Sequence, residues 1–412
     1  MSCRIKNSIL KLKESSTLLI NEKSKELINQ GKKVYQFGFG QSPFPVPEKI
    51  VEALKNNAHR KEYLPIQGLP SLREAISDYL QKKTGNNYPK ENILITPGSK
   101  EAMLLMHIAF NGEIIIPAPG WVSYEPQAQI GSNKVHWLET SRANNWFPTA
   151  EALEKKIKKI GKKKNLILIL NSPNNPSGAV CKNLKELANV SRKNKIIVLS
   201  DEIYTDLTFK DNYNSISKYY PEFTFITGGL SKWCGAGGWR LGFLAVPNKL
   251  TDFLLCLKSL ASESYSTVNT PTQFAAAEAY SGNYDEYKNK VKGILNAIGN
   301  YVYNNLKSNK VLLSPPQGAF YLMPEFKNKK YKNSSKMCEA ILKETGVAML
   351  PGSDFGFKPK KMLTRLSYTD FDGAKFFNNV SNYNSVDDDM IKKYAPNVVE
   401  GVSNLSNWAK NL

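Results

Sequence analysis

The sequence predicts an α/β protein with a large domain, in which helices flank a mostly parallel sheet, and a smaller α+β domain. The chain has 412 residues, more than one ordinary hydrophobic core accommodates. In its middle part, short apolar runs rich in β-branched residues alternate with runs of helical periodicity, which is typical of a parallel sheet covered on both faces. Beyond Tyr284, a shorter mixed set of strands and helices predicts the second domain.

The elements of the large domain follow from the spacing of apolar residues. Residues 34–39 form an apolar segment that ends at Gly40 and a run of prolines, and we interpret them as an arm or a first strand. Helices are predicted at 48–57, 71–83, 99–110, from Ser123 onward and at 183–193. Strands are predicted at 93–96, 113–116, 166–170, 196–199, 223–227 and 242–246.

The second set of elements begins with a long helix after Tyr284. Strands are then predicted at 311–313, 319–323, 347–350 and 363–368, with a helix at 335–345 and a terminal helix that carries Val398 and Trp408. The polar, asparagine-rich residues 378–393 are interpreted as a surface excursion between helices. The sequence shows no internal repeat.

Composition and charge exclude several classes of protein. The formal net charge is +20, but only seven of the 56 basic residues are arginine and no basic stripe interleaves with aromatic residues, so we expect no nucleic-acid partner. No apolar run approaches the roughly 18 residues that span a bilayer, and the N-terminus lacks a signal peptide's apolar core. We therefore expect no membrane partner and a cytoplasmic location.

Cysteine usage argues against a metal site. The five cysteines are scattered without a Cys-x-x-Cys pair, and only three histidines accompany them. This pattern fits a reducing compartment and indicates no structural zinc site.

The most informative stretch runs from Gly229 to Gly242 and reads GLSKWCGAGGWRLG. Lys232 follows a predicted strand in small, glycine-rich surroundings, which let backbone approach a planar ligand closely. A buried lysine also loses its proton more easily, as an imine-forming amine requires. The alternative interpretation is a glycine-rich turn with incidental charges.

This stretch resembles the lysine motif of the class I/II aminotransferases, which are pyridoxal-phosphate enzymes of the aspartate aminotransferase fold, fold type I. The resemblance extends from Gly40 in FGFGQSPFPVP to Arg365 in TRLSY and so covers nearly the whole chain. It implies pyridoxal 5′-phosphate as cofactor and three parts of the chain. These are an N-terminal arm at 1–44 that joins the small domain, a large cofactor-binding domain at 45–295 and a small C-terminal domain at 296–412.

The resemblance also assigns catalytic roles. Lys232 would hold the cofactor as a Schiff base and act as the catalytic base. Asp201, in SDEIY, would pair with the pyridine nitrogen and hold it charged, whereas the alternative is a helix N-cap. Tyr204 and Asn175 would contact the cofactor's phenolic oxygen, although NNPSG around Asn175 is by itself an ordinary turn.

A second group of residues would bind the cofactor's phosphate. Arg240 can form a charge-assisted pair, and Gly98, Ser99 and Lys100 can offer free N–H groups and a hydroxyl where a helix opens. Taken in isolation, Ser99 is equally compatible with a simple N-cap.

At one position the sequence departs from the family's pattern. Many relatives carry a phosphate-binding serine three residues before the lysine, where this chain has Gly229. One phosphate contact is therefore missing or supplied from elsewhere, and Ser231 is a possible substitute.

The remaining expected site residues would contact the cofactor or the substrate. Trp121 would stack on the cofactor ring, or else be a core tryptophan. Tyr63 would reach the phosphate of the neighbouring subunit, which implies a homodimer, or else pack at a surface. Arg365 would bind the substrate's α-carboxylate bidentately, and Gly40 would offer a backbone contact at the pocket entrance.

The sequence determines the class of substrate but not which amino acid is the donor. No arginine lies between Arg240 and Arg365, where one branch of the family carries a residue for the distal carboxylate of aspartate or glutamate. Lys100 matches a lysine that does this work in another branch, but it could equally serve the phosphate or point to solvent. We expect an aspartate-like or broad-specificity aminotransferase that uses amino acid and 2-oxo acid substrates, with 2-oxoglutarate as acceptor.

Three other functions are weighed against this expectation. A pyridoxal-phosphate-dependent C–S β-lyase would use the same residues but would release ammonia and pyruvate instead of forming a new amino acid. A cofactor-binding transcription regulator would need an added DNA-binding module, and only about 40 residues precede Gly40. A nicotinamide dehydrogenase would need a G-x-G-x-x-G after an early strand, and the sequence has none there.

Overall fold

A computed structural model of the chain describes residues 7–10, 12, 14, 16–161, 164–210, 213–328 and 330–412, so part of the predicted arm lies outside the described residues. The strands of the described residues are β1 (Ile93–Thr96), β2 (Glu113–Ala118), β3 (Lys134–Glu139), β4 (Leu166–Asn171), β5 (Ile197–Asp201), β6 (Thr224–Gly229), β7 (Gly242–Ala245), β8 (Val311–Leu312), β9 (Tyr321–Leu322), β10 (Glu325–Phe326), β11 (Leu350–Pro351) and β12 (Thr364–Ser367). The α-helices are α1 (Asn7–Leu10), α2 (Ser16–Asn29), α3 (Glu48–Asn57), α4 (Pro70–Thr84), α5 (Ser99–Ala109), α6 (Tyr124–Ile130), α7 (Ala150–Ile160), α8 (Leu184–Lys193), α9 (Thr251–Ser264), α10 (Thr270–Ser281), α11 (Asp285–Leu306), α12 (Ser334–Thr345), α13 (Gly373–Asn378), α14 (Asp388–Tyr394) and α15 (Pro396–Lys410).

A seven-stranded sheet with the order β1-β7-β6-β5-β4-β2-β3 forms the centre of the fold. Neighbouring strands from β6 through β5, β4 and β2 to β3 run parallel, while β7 is antiparallel to both β6 and β1. The continuous apolar run of β4 explains its central place, because a strand with helices on both faces buries every side chain.

Helices cover both faces of this sheet, and the alternation of side chains along each strand supplies both cores. On one face, Leu168 and Val198 pack in a cluster with Leu153 of α7 and Leu187 of α8. On the other face, Ile167 packs in a cluster that includes residues of α5 and α9. Successive side chains of a strand point to opposite faces, so the LILILN run of β4 serves the two clusters in turn.

The C-terminal part forms smaller antiparallel sheets. Strand β12 lies between β11 and β9, and β8 pairs with β10. The long helix α11 and the terminal helix α15 contact each other here, and α12 also packs on α15. The predicted α/β fold with a mostly parallel sheet is confirmed, whereas the predicted domain boundaries stay a prediction.

Several predicted elements differ in the structure. Residues 34–39 form only an isolated bridge between Tyr35 and Val347, and the strand expected at 347–350 is confined to β11. The surface excursion expected at 378–393 contains most of α14, which begins where the Asp387 side chain accepts a hydrogen bond from the Met390 N–H. The prediction also missed β3, β10, α7, α9, α10 and α13.

Among the described residues, no helix is both long and apolar enough to cross a bilayer. In the same part of the chain, no three histidine, cysteine, aspartate or glutamate side chains come together as a metal site.

Candidate functional site

The candidate site lies where the parallel strands end. Asn171 ends β4, Asp201 ends β5 and Gly229 ends β6, and the pairing register aligns Asn171 with Asp201 and Gly229 with Gly242. Because the carboxyl ends of parallel strands meet at one edge of a sheet, the loops that follow them converge there. A cavity of about 570 Å³ opens at this edge, a size typical of small-molecule sites.

The structure brings together all the predicted site residues except Gly98 and Tyr63 as lining of this cavity. The lining includes Gly40, Ser99, Lys100, Trp121, Asn175, Asp201, Tyr204, Ser231, Lys232, Arg240 and Arg365. Gly98 lies just behind the lining, against the Arg240 guanidinium. Tyr63 is 88% exposed and is not among the residues that line this cavity.

The Lys232 amine lies at the cavity wall, where its Nζ donates a hydrogen bond of 2.9 Å to the Gly40 carbonyl. Burial, together with the charges of Arg365 and Arg240 and against the attraction of Asp201, lowers the pKa of Lys232 to about 8. About half of this amine is therefore neutral near pH 8, and a neutral amine is the nucleophilic form.

Asp201 supplies a buried carboxylate to the same cavity. Its Oδ2 accepts a hydrogen bond of 2.7 Å from the Tyr124 hydroxyl, and its Oδ1 accepts one of 3.3 Å from the Ile203 N–H. Burial raises the pKa of Asp201 to about 6, because these donors offset only part of the desolvation. The carboxylate is thus charged at neutral pH, and it ends a strand instead of capping a helix.

Arg365 lies in β12 and is 1% exposed. Its Nη1 donates to Asn175 Oδ1 at 3.1 Å and its Nη2 donates to the Gly38 carbonyl at 2.5 Å. Its Nε is buried and has no hydrogen-bond partner among the described residues. The guanidinium also lies over the rings of Tyr321 and Phe355, at 4.8 and 5.3 Å. Such a fixed fork with an unused donor suits a carboxylate ligand.

One end of the cavity is cationic and lies where helix α5 begins. Ser99 is the first residue of α5, with Gly98 as its cap, so the free N–H groups of the first turn face this end. Arg240 is held there by hydrogen bonds to the carbonyls of Pro97 and Gly237, at 3.1 and 2.9 Å. Partial burial and the charge of Arg240 lower the pKa of Lys100. This end can hold a dianion such as a phosphate.

Aromatic residues and one glycine shape the middle of the cavity. Trp121 lines it and meets Tyr124 edge to face at 5.5 Å, while Lys100 Nζ lies 5.2 Å from the Trp121 ring. A Cβ on Gly40 would lie 1.9 Å from the Tyr321 hydroxyl oxygen, so only glycine fits at this position.

Sequence reasoning missed several residues of this site. Asn171 lines the cavity, donates to the Asp201 carbonyl at 2.9 Å and accepts from the Asn175 N–H at 2.7 Å. A polar residue directly after a fully apolar strand was a usable signal for it. Tyr321 and Tyr124 gave no such signal, because each stands in a segment that a buried core would also explain.

Comparisons with known proteins support the geometry. The chain matches the family model described as aminotransferase class I and II over residues 32–374. It is 32% identical over 368 residues to an aspartate aminotransferase of Bacillus sp. (strain YM-2), which covers 85% of this chain and 91% of that protein. It is 31% identical over 382 residues to an asparagine–oxo-acid transaminase of Streptococcus mutans, with 89% and 94% covered.

Solved structures agree with these relatives. An aspartate aminotransferase from Thermus thermophilus with maleate superposes with a TM-score of 0.84 at 25% identity, over 98% of this chain and 99% of that one. An aspartate aminotransferase from Thermotoga maritima superposes with a TM-score of 0.82 at 26% identity, over 98% and 100%.

Proposed function

The chain belongs to the class I and II aminotransferases, and we propose that it uses pyridoxal 5′-phosphate to move an amino group from an aspartate-like or broader range of amino acids to a 2-oxo acid such as 2-oxoglutarate. The family membership and the enzyme class expected from the sequence are confirmed by these matches. The single observation that carries the proposal is that the Lys232 amine and the Asp201 carboxylate line one cavity together with the cations of Lys100, Arg240 and Arg365.

The described residues fit this cofactor. When bound, pyridoxal phosphate supplies an aldehyde that condenses with amines and a pyridine ring that accepts electrons from a substrate's α-carbon. The cavity offers an amine of lowered pKa, a buried carboxylate and a cationic helix N-terminus. The Nε of Arg365, which is buried without a hydrogen-bond partner among the described residues, supports Arg365 as a donor to a carboxylate.

Lys232, Asp201 and Tyr204 would carry the chemistry. The Lys232 amine would hold the cofactor and would accept the proton that the amino donor's α-carbon releases. Asp201 would keep the pyridine nitrogen protonated, since its carboxylate is ionised at neutral pH. Tyr204 and Asn175 would bind the phenolic oxygen, and the burial of both side chains would keep water from competing for it.

The cationic end would bind the phosphate through the Gly98 and Ser99 N–H groups, the Ser99 and Ser231 hydroxyls and Arg240. Trp121 would stack on the ring, where such contacts contribute about 0.5–1.5 kcal/mol beyond the buried area. Lys100 remains a candidate for either the phosphate or the distal carboxylate of a substrate, because it lines the cavity next to both Trp121 and Arg240.

Arg365 would bind the substrate's α-carboxylate, and the backbone of Gly40 would lie beside it. A four-carbon substrate is supported by the relatives, which include aspartate aminotransferases, an asparagine–oxo-acid transaminase and an aspartate aminotransferase with maleate, a dicarboxylate. With Lys100 as the second cation, the cavity lining would offer a positive charge to each carboxylate of such a substrate.

Tyr63 would complete the phosphate site of a partner subunit in a homodimer. Its 88% exposure fits a side chain that finds its partner across an interface. A cytoplasmic location and the lack of a nucleic-acid partner stay predictions.

Lys232→Ala tests the proposal. After the protein is incubated with pyridoxal phosphate and reduced with borohydride, mass spectrometry should find the cofactor on Lys232 of the wild type and on no residue of the variant. Lys249→Ala, which removes an exposed lysine, should behave as wild type. A wild-type protein whose Lys232 stays unmodified would exclude the assignment.

A panel of amino donors with 2-oxoglutarate then identifies the reaction. Formation of glutamate from L-aspartate or L-asparagine supports transamination of four-carbon donors. Release of ammonia and pyruvate from sulfur amino acids, without formation of a new amino acid, would instead indicate the C–S β-lyase.

A further inference from the structure

Tyr321 links two groups of the site that come from different parts of the chain. It lies in β9, beside the strand that carries Arg365, with Tyr321 paired to Ser367. Its hydroxyl lies 3.0 Å from the hydroxyl of Tyr204, and its ring lies 4.8 Å from the Arg365 guanidinium. The side chain is 1% exposed and lines the cavity. A single buried residue therefore contacts both Tyr204 and the arginine.

We propose that Tyr321 is a positioning residue with two separable functions: its hydroxyl directs the Tyr204 proton into the cavity, and its ring holds the Arg365 guanidinium in place. The inference rests on the proposed function, because it gives Tyr204 and Arg365 a cofactor and a carboxylate to bind.

The hydroxyl function follows from the geometry around Tyr204. Two neutral phenols in contact share one hydrogen bond, so one donates and the other keeps its proton for another acceptor. The Tyr321 hydroxyl also lies 3.5 Å from the Gly40 carbonyl, but this contact is at the limit of a hydrogen bond, and Lys232 already donates to that oxygen at 2.9 Å. The 3.0 Å contact with Tyr204 is the better one for its proton.

When Tyr321 donates to the Tyr204 oxygen, the Tyr204 proton is left to point into the cavity. Chains of hydrogen bonds polarise one another, so this donation makes Tyr204 a stronger donor to an anionic oxygen. The charged groups that act on Tyr204 are Asp201, Arg365 and Lys232. They remain in place when the Tyr321 hydroxyl alone is removed.

The ring function follows from the stacking of Arg365. Its guanidinium lies over Tyr321 on one side and Phe355 on another, while Nη1 and Nη2 are fixed by Asn175 and Gly38. Aromatic faces stabilise a desolvated guanidinium and restrict its tilt. The plane in which the carboxylate fork is presented thus depends on the Tyr321 ring.

Three variants separate the two functions. Tyr321→Phe removes the hydroxyl and keeps the ring, whereas Tyr321→Leu removes both. Phe355→Leu is the matched control, because it removes an Arg365 ring contact without touching Tyr204. The readouts are the pH midpoint of the absorption of the cofactor attached to Lys232, cofactor affinity by equilibrium dialysis, and kcat and KM for L-aspartate.

For Tyr321→Phe we expect the absorption midpoint to rise by about half a unit to one unit and kcat to fall about three- to tenfold, the size of one neutral hydrogen bond, with KM within about twofold. The midpoint rises because the deprotonated phenolic oxygen of the cofactor loses part of its hydrogen bonding. Tyr321→Leu should add a rise in KM of about tenfold, and Phe355→Leu should raise KM without moving the midpoint.

An unchanged midpoint in Tyr321→Phe overturns the hydroxyl function, and an unchanged KM in Tyr321→Leu overturns the ring function. If Tyr321→Leu does not fold, Tyr321→Met, which also lacks a ring, replaces it in the KM measurement, and Tyr321→Phe still tests the hydroxyl. Failure of the proposed function is distinguishable, because the wild-type protein would then show no cofactor on Lys232.

Discussion

Gly229→Ser tests whether the missing phosphate-binding serine can simply be restored. A Cβ on Gly229 would lie 2.6 Å from the Leu241 carbonyl oxygen and 2.9 Å from Gly242 Cα, and both are backbone atoms that cannot rotate away. Gly242 is itself tightly packed against the start of α5, because a Cβ built on it would lie 2.4 Å from the Ser99 nitrogen. The strands must therefore separate. Overpacking of this kind costs about 1–3 kcal/mol of unfolding free energy, and a backbone clash belongs at the upper end.

Thermal unfolding measures the cost, and equilibrium dialysis measures cofactor affinity. We expect Gly229→Ser to melt at a lower temperature and to bind pyridoxal phosphate more weakly than wild type, since the shift reaches the N-terminus of α5. Gly238→Ser is the control for stability, because a Cβ there meets nothing within 4 Å. A Gly229→Ser protein that melts like wild type and binds the cofactor more tightly would refute the packing argument.

Two further predictions concern buried charges. Arg365→Lys should lower kcat/KM for carboxylic donors by about ten- to a hundredfold, because a point charge cannot replace a bidentate fork, and unchanged kinetics with every donor would remove Arg365 from the site. Asp206 is buried, which by itself would raise its pKa, but Lys288, Lys83 and the Tyr79 hydroxyl outweigh burial and hold the pKa below its usual value. It therefore stabilises the fold above the unfolded pKa of about 3.9, and this stabilisation is lost as pH falls through the lower folded value. Asp206→Asn should melt at a lower temperature than wild type at pH 7, and its melting temperature should fall less on acidification. Asp78→Asn, at an exposed position, should match wild type in both measurements.

The sequence predicted the site residues best where a motif coincides with the end of a strand. Asp201 ends one short apolar, β-branched run and Lys232 follows another, and both runs were predicted as strands, so their place at the carboxyl edge of the sheet follows from chain direction. Tyr321 could not be found in this way. Its segment AFYLM is typical of a core strand, and its contact with Tyr204 joins residues 117 positions apart.

Helices and strands were likewise predicted well where local sequence determines them and poorly where contacts with distant residues do. The prediction placed α3 and α5 closely, because their apolar spacing is local. Helix α7 has strongly amphipathic spacing, and the Thr149 side chain caps it by accepting a hydrogen bond from the Ala152 N–H. Both features are visible in the sequence, although the prediction did not use them. Strand β3 was missed because only half of the residues in KVHWLE are apolar, and its place is fixed by pairing with β2.

The charges of the cavity connect the reactivity of Lys232 to ligand binding. Lys100, Lys232, Arg240 and Arg365 line it against the single carboxylate of Asp201 among the described lining residues. The arginines that lower the pKa of Lys232 are the groups proposed to bind phosphate and carboxylate. An anion bound at either arginine offsets that charge, so the Lys232 pKa must rise when the site fills. In the proposed reaction, a carboxylate bound at Arg365 would therefore make the Lys232 amine more basic at the stage at which it would have to accept a proton.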